Sequence, residues 1–142
     1  MQKVYLLDTN IVSEFSKQIP DDNVIHQYQI SRNLCAISAT TWQELTFGLT
    51  RMPDGKRKST VENFIESLRN NMEILPYDDF AANICGTLLA NAEKKGKSIS
   101  VLDCQIAATA IANGMILVTR NVSDFKEAAE NSFLQVENWF SE

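Results

Sequence analysis

Four carboxylates and a shortage of histidine define the chemistry open to this chain. Among its eighteen acids, Asp8, Glu44, Asp103 and Asp124 stand apart by context. Asp8 ends the apolar run Val4-Tyr5-Leu6-Leu7. Glu44 follows the compact segment Leu34-Cys35-Ala36-Ile37-Ser38 within a few residues. Asp103 opens the apolar stretch from Val101 to Asn113, and Asp124 comes shortly after Met115-Ile116-Leu117-Val118-Thr119. Carboxylates brought together repel: two at about 4 Å cost on the order of 4 kcal/mol at an effective dielectric near 20. Such a group must take up protons or a cation. No Lys or Arg is immediately beside Asp8, Glu44 or Asp103, and an oxygen-only, charge-rich pocket suits Mg²⁺ or Mn²⁺. Thr9, Asn10, Thr119 and Asn121 are spaced to orient ligands or waters around it. His26 is the only histidine. That excludes a two-histidine nuclease and a His-rich zinc site, so any catalysis rests on carboxylates.

The elements that position these acids follow from periodicity. Val4 to Leu7 is β-branched, aromatic and continuous, which predicts a short strand buried on both faces. Asp8 at its C-terminal tip is where open α/β sheets put their chemistry. Helices are predicted over Thr9–Lys17 and from Pro20 to about Ser31, then a strand over Leu34–Ser38. Trp42, Leu45, Leu49 and Met52 form one stripe of a helix from Thr40 to Met52. After the turn Pro53-Asp54-Gly55 come a polar helix over Lys56–Asn71, a strand Glu73–Pro76 and a helix Asp78–Lys95 capped by Gly96. The near-wholly apolar stretch Val101–Asn113 predicts the most buried helix, ended by Gly114. Met115–Thr119 is the clearest strand, followed by a helical turn from Ser123 and a last strand Leu134–Val136. Strands alternating with helices predict an α/β fold with a parallel sheet covered on both sides.

Each acid also has a plainer reading. Thr41-Trp42-Gln43-Glu44 and Ser100-Val101-Leu102-Asp103 have the form of capping boxes, and Asn121-Val122-Ser123-Asp124 is similar in shape. A cap alone is worth roughly 1 kcal/mol. Topology argues for more. A right-handed crossover starts each helix beside the C-terminal edge of the preceding strand. Asp8, Glu44 and Asp124 therefore share one rim if their strands are neighbours. Asp103 is not brought there by this argument, but a carboxylate heading an apolar helix needs a partner.

Composition narrows the field. The 142 residues fit a single domain, 1–142, and low Gly and Pro content argues against disorder. A net charge of −5 argues against a general cationic coat for nucleic acid, though not against a local site. No apolar run is long enough for a membrane span or a signal-peptide core. Cys35, Cys85 and Cys104 form no metal or disulfide motif, which predicts buried thiols in a reducing cytoplasm.

Together the segments Leu-Leu-Asp8-Thr9-Asn10, Trp-Gln-Glu44-Leu, Leu-Asp103-Cys-Gln-Ile-Ala-Ala-Thr-Ala and Val-Thr119-Arg-Asn121-Val-Ser-Asp124-Phe resemble the PIN-domain family. The chain is most similar there to the VapC-type toxins of bacterial and archaeal toxin–antitoxin pairs. The resemblance spans essentially the whole chain. It implies a PIN-like three-layer sandwich: a five-stranded parallel twisted sheet with helices on both faces. It implies a Mg²⁺- or Mn²⁺-dependent endoribonuclease. Asp8 and Asp103 would be the chief metal ligands, Glu44 the third acid, and an ion-activated water the nucleophile. Many family members carry a further acid where this chain has Asn121. Here the nearest carboxylate is Asp124, three residues on, so a second-metal site is less secure. The resemblance also implies an RNA substrate such as transfer RNA, a cognate antitoxin whose C-terminal segment fills a groove, and a homodimer.

RNA requires positive charge. Arg51, Lys56, Arg57 and Lys58, the group Lys94, Lys95 and Lys97, and Arg120 are the candidates, with Arg120 singled out as a contact. Trp42 and Phe47 are expected in the core rather than under a base. Val24, Ile25, Tyr28, Phe64 and Leu68 are expected to line the groove or an interface. Two other classes remain: a non-catalytic PIN-like scaffold that binds RNA or protein, and phosphoryl transfer through an aspartyl-phosphate at Asp8. The second usually needs an acid where this chain has Asn10.

Overall fold

Alternate residues of each inner strand feed opposite cores, and this divides the molecule into layers. The structure is a computed structural model and describes residues 2–142. Its strands are β1 (Tyr5–Leu7), β2 (Cys35–Ser38), β3 (Glu73–Leu75), β4 (Ile116–Val118) and β5 (Val136–Glu137). All pair in parallel, in the order β3-β2-β1-β4-β5. Leu6, Ala36 and Leu117 point to one face, where they meet α5 (Asp79–Lys94) and α6 (Val101–Ala112) through Cys85, Leu88, Ala107 and their neighbours. Leu7, Ile37 and Val118 point to the other, against α1 (Thr9–Glu14), α2 (Asp22–Ser31), α3 (Ala39–Thr50) and α4 (Lys56–Asn71). Period-2 alternation in a strand buried on both sides requires this division. The expected three-layer α/β sandwich with five parallel strands is what forms.

The helices begin and end for local reasons. Ser38 Oγ accepts from Thr41 N at 3.0 Å, so α3 starts at Ala39, one residue earlier than predicted, and Glu44 lies beyond its cap. The helix Thr9–Lys17 stops at Glu14, because residues 15–17 tighten into bonds to carbonyls three residues back. At the end of α5, Gly96 takes φ +69, Gly96 N bonds Glu93 O and Lys97 N bonds Ala92 O. Gly114, at φ +64, repeats the pattern after α6. Both are Schellman ends, which only glycine forms without strain. The last strand is Val136–Glu137 rather than Leu134–Val136, since Leu134 turns into the core beside β4. As expected, α6 carries the densest set of buried residues and packs most extensively on α5. All three cysteines are free and buried, and burial pushes the Cys35 and Cys104 thiols up to about 12. Among the described residues no helix is long and apolar enough to cross a membrane.

The C-terminal residues strap the α1–α4 face. Asn23 Nδ2 donates to Trp139 O at 2.7 Å, and Asp21 accepts from both Ser141 N and Ser141 Oγ. Trp139 is 4% exposed, with its ring edge-on to Tyr5 at 5.3 Å between centroids. Replacing Trp139 by Ala is expected to cost about 3–5 kcal/mol. Urea unfolding should show this as a lower midpoint at unchanged m; a midpoint within error of the parent would mean the strap is dispensable to the core.

Candidate active site

Asp8 lies at the topological switch point of the sheet. The chain leaves β1 toward β2 and β3 on one side and reaches β4 and β5 on the other, so a crevice opens between the C-terminal ends of β1 and β4. Asp8 closes β1 there and Thr119 follows β4. The Thr119 hydroxyl donates to Asp8 Oδ2 at 2.8 Å, and Thr119 is fully buried. Asn10 Nδ2 lies 3.3 Å from both Asp8 Oδ2 and Thr119 Oγ1, while Thr9 N donates to Asp8 Oδ1 at 2.8 Å. Three of roughly four lone-pair positions on this carboxylate are thus occupied, leaving one. Asp8 caps α1 as the plainer reading holds, yet the cap uses only one oxygen. Burial holds its pKa above 3.8, and the Glu44 charge adds to the rise against the opposing hydrogen bonds.

Glu44 reaches the same crevice from α3. Its Oε1 accepts from the Thr9 hydroxyl at 2.6 Å, which leaves Oε2 without a side-chain donor. The Asp103 carboxylate projects from the first turn of α6 and is half-buried. Ser100 Oγ caps that turn at 3.5 Å from Asp103 N, half of a capping box. Burial first, then the charges of Asp8, Asp124 and Glu44 in that order, push Asp103 from 3.8 up to about 6. The three other acids therefore act together on Asp103. Asp124 is exposed on the short 3₁₀ turn Val122–Phe125, where its backbone N bonds Asn121 O and no side chain caps the turn.

Among the described residues no three His, Cys, Asp or Glu side chains converge as a ready-made metal cage. The donor set still fits Mg²⁺ or Mn²⁺. It is all oxygen, it carries unrelieved like charge, and Mg²⁺ commonly takes one or two carboxylates while keeping several waters. Asp8, Glu44 and Asp103 would hold such an ion, with Asp124 at the rim.

The surrounding polar residues divide. Thr9, Asn10 and Thr119 are joined to the acids by hydrogen bonds. Asn121 contributes its backbone N, at 3.1 Å from Thr119 Oγ1, and its side chain is exposed. Arg120 N donates to Asn10 Oδ1 at 3.0 Å, but the guanidinium grips Glu142 and lies 4.5 Å over Phe140. The next acids it feels are Glu14 and Asp21, which stand outside the cluster. The sequence carries no sign of the partner in the Thr40–Gln105 hydrogen bond, 3.1 Å, which ties the start of α3 to that of α6. Its one signal was a lone amide two residues after Asp103 inside an apolar run. Phe47, expected in the core, is 62% exposed, whereas Trp42 is half-buried against α4. Val24 and Leu68 are core residues, and only Phe64 of the expected groove set lines the groove beside Glu44.

The model of the PIN domain matches residues 5–131. A VapC ribonuclease, Y4jK, of Sinorhizobium fredii is 39% identical over 130 residues, covering 87% of this chain and 91% of the relative. The tRNA(fMet)-specific endonuclease VapC of Shigella flexneri is 28% identical over 137 residues, covering 95% and 97%. The crystal structure of VapBC2 from Rickettsia felis, bound to a DNA fragment from their promoter, superposes with a TM-score of 0.81 at 28% identity, covering 98% and 99%. The chain belongs to the PIN-domain family, among the VapC-type toxins of toxin–antitoxin pairs.

The raised Asp103 carboxyl makes a prediction with a definite sign. Between about pH 4 and 6 the native state holds a proton that the unfolded chain has released, so stability falls as pH rises through that window. Asp103→Asn is expected to raise Tm at pH 8 in metal-free buffer and to lose that gain near pH 3.5. Equal melting of variant and parent at pH 8 would show that Asp103 is not strained by its neighbours.

Proposed function

We propose that this chain is a Mg²⁺- or Mn²⁺-dependent endoribonuclease, the toxin of its pair. The observation that carries the reading is the buried, hydrogen-bonded Asp8 at the switch point, facing an Asp103 loaded by three like charges. A divalent ion held there would supply an acidified water and offset charge on the pentavalent phosphorus transition state. Asp8 and Asp103 would hold it, with Glu44 reaching it directly or through water, and Thr119, Asn10 and Thr9 N hold Asp8 in one orientation. The Thr9 hydroxyl fixes Glu44 Oε1, so Glu44 Oε2 is the acceptor for the proton of the attacking water. Asp124, at the rim, orients that water or the substrate strand. Attack at phosphorus breaks the bond to the 3′-oxygen, leaving a 3′-hydroxyl and a 5′-phosphate.

Transfer RNA is the substrate class that the name of the Shigella relative supports. A groove of about 360 Å³ between α1, α3 and α4 opens beside Thr9 and Glu44 and is lined by Leu45, Leu49, Met52 and Phe64. We assign it to the C-terminal segment of an antitoxin, with a basic side chain reaching the four acids. Exposed Phe80, Val101 and Leu102 support a homodimer. The cytoplasm, where RNA and antitoxin are present, is the expected location.

The test is cleavage of total RNA by antitoxin-free protein. Asp8→Asn, or EDTA, is expected to lower the rate at least about 100-fold, with 5′-phosphate and 3′-hydroxyl ends in the products. Products ending in a 2′,3′-cyclic phosphate would overturn attack by water. Absence of cleavage by folded, ion-loaded protein would favour the scaffold that binds without cutting.

A further inference from the structure

We infer that Phe47 and Arg51 form a platform for single-stranded RNA beside the acid cluster, with a base flanking the cut stacked on Phe47 and a phosphate held by Arg51. This rests on the nuclease reading for its substrate class. Helical geometry sets the placement. Phe47 and Arg51 lie about 4.5 Å and about 10.5 Å along α3 from Glu44, and their bearings fall within about 60° and about 20° of it. A stacked strand advances about 3.4 Å per nucleotide. Phe47 therefore stands about one base, and Arg51 about three phosphates, from a bond cut at Glu44.

The exposure and the charge both favour RNA as the occupant. Phe47 is 62% exposed, and the Arg51 guanidinium lies 5.0 Å from its ring centroid. Among the described residues Arg51 has no acid within ion-pair distance, whereas Lys17, Lys95, Lys97 and Arg120 each have one. Cations continue past the turn: Lys56, Arg57 and Lys58 occupy the first turn of α4, where the helix dipole disfavours them; Lys58 is paired with Asp54 at 3.5 Å, and Arg57 lines the groove shared with Glu44. This corner is positive in a chain of net charge −5. An unpaired guanidinium on an exposed ring suits the π-face of any base and the charge of a phosphate.

The experiment measures binding without cutting, using the full chain free of antitoxin and carrying Asp8→Asn, with Mg²⁺ present. The probe is a fluorescein-labelled single-stranded RNA oligonucleotide, beside the same strand with abasic positions. Phe47→Ala is expected to weaken binding of the intact strand about 10-fold and of the abasic strand not at all. Phe47→Trp should retain affinity, with its emission quenched by RNA. Arg51→Ala should lower the slope of log K against log salt by about 1. Wild-type affinity in both Phe47→Ala and Arg51→Ala would overturn the platform while leaving the nuclease reading intact. So would loss of the dimer in Phe47→Ala at unchanged RNA affinity, which would make the ridge a protein interface. Phe47-dependent binding by a chain that never cuts RNA would uphold the platform and overturn the nuclease. Failure of the parent to bind RNA would overturn both.

Discussion

The hydrogen bond from Thr119 to Asp8 joins the ends of β4 and β1 at the point where the strand order reverses. A buried carboxylate without partners is costly enough to protonate or unfold its surroundings. Here it receives a hydroxyl, a backbone N–H and an amide at once. Each donor comes from a different structural cause. Thr119 is present because β4 pairs with β1 in register, Leu7 beside Val118. Thr9 N is free to donate because it begins α1, whose first amides lack partners in the helix. Asn10 reaches back from the same turn and also accepts from Arg120 N, so one amide ties the ends of β1 and β4 together. Sheet order, helix start and site orientation are therefore one arrangement.

Electrostatics follow from that arrangement. With Asp8 held in place and Glu44 fixed by Thr9, burial and the Glu44 charge raise Asp8, while burial and the charges of Asp8, Asp124 and Glu44 raise Asp103. Among the described residues no basic side chain acts on Asp8 or Asp103, and the nearest arginine in sequence is turned away. Arg120 spends its guanidinium on Glu142 and the Phe140 ring, where it secures the C-terminal strap. The strap in turn rests on Asp21, whose carboxylate serves both the start of α2 and Ser141. Turning Arg120 away would leave the field of the acids for the proposed divalent ion, while Arg51, Lys56 and Arg57 place positive charge at the α3–α4 corner.

The layering and most element positions could be read from the chain because they rest on local physics. Strands buried on two faces, an apolar stripe on α3 and glycines after α5 and α6 are all visible in residue order. The rim of Asp8, Glu44 and Asp124 followed from crossover handedness. What escaped depended on distant partners. The start of α3 at Ala39 rather than Thr40 came from Ser38, a strand residue acting as a cap. Phe47 was expected in the core because hydrophobicity does not say which side of a helix a neighbour leaves open. The orientation of Arg120 was set by the last residue of the chain, 22 positions away.

Asp103 is the acid that no strand delivers, and its placement differs in kind. It rides on α6, which is fixed by burial of Cys104, Ile106, Ala107 and Ala108 against α5 and the sheet. Thr40–Gln105 then links its first turns to α3. On the opposite side, Lys95 and Lys97, in the connection leading to α6, meet Glu127 of α7 (Lys126–Glu130), the helix that follows the turn bearing Asp124. Surface pairs of this kind contribute only about 0–1 kcal/mol each. The crevice therefore has one half held by buried hydrogen bonds, Asp8 and Glu44, and another held by a packed helix and surface pairs, Asp103 and Asp124. Rotation of the Asp103 side chain changes its repulsion with three neighbours without disturbing the Asp8 network. Asp103 thus feels the charges of three acids, whereas Asp8 is the carboxylate fixed by a hydroxyl, an amide and a backbone N–H.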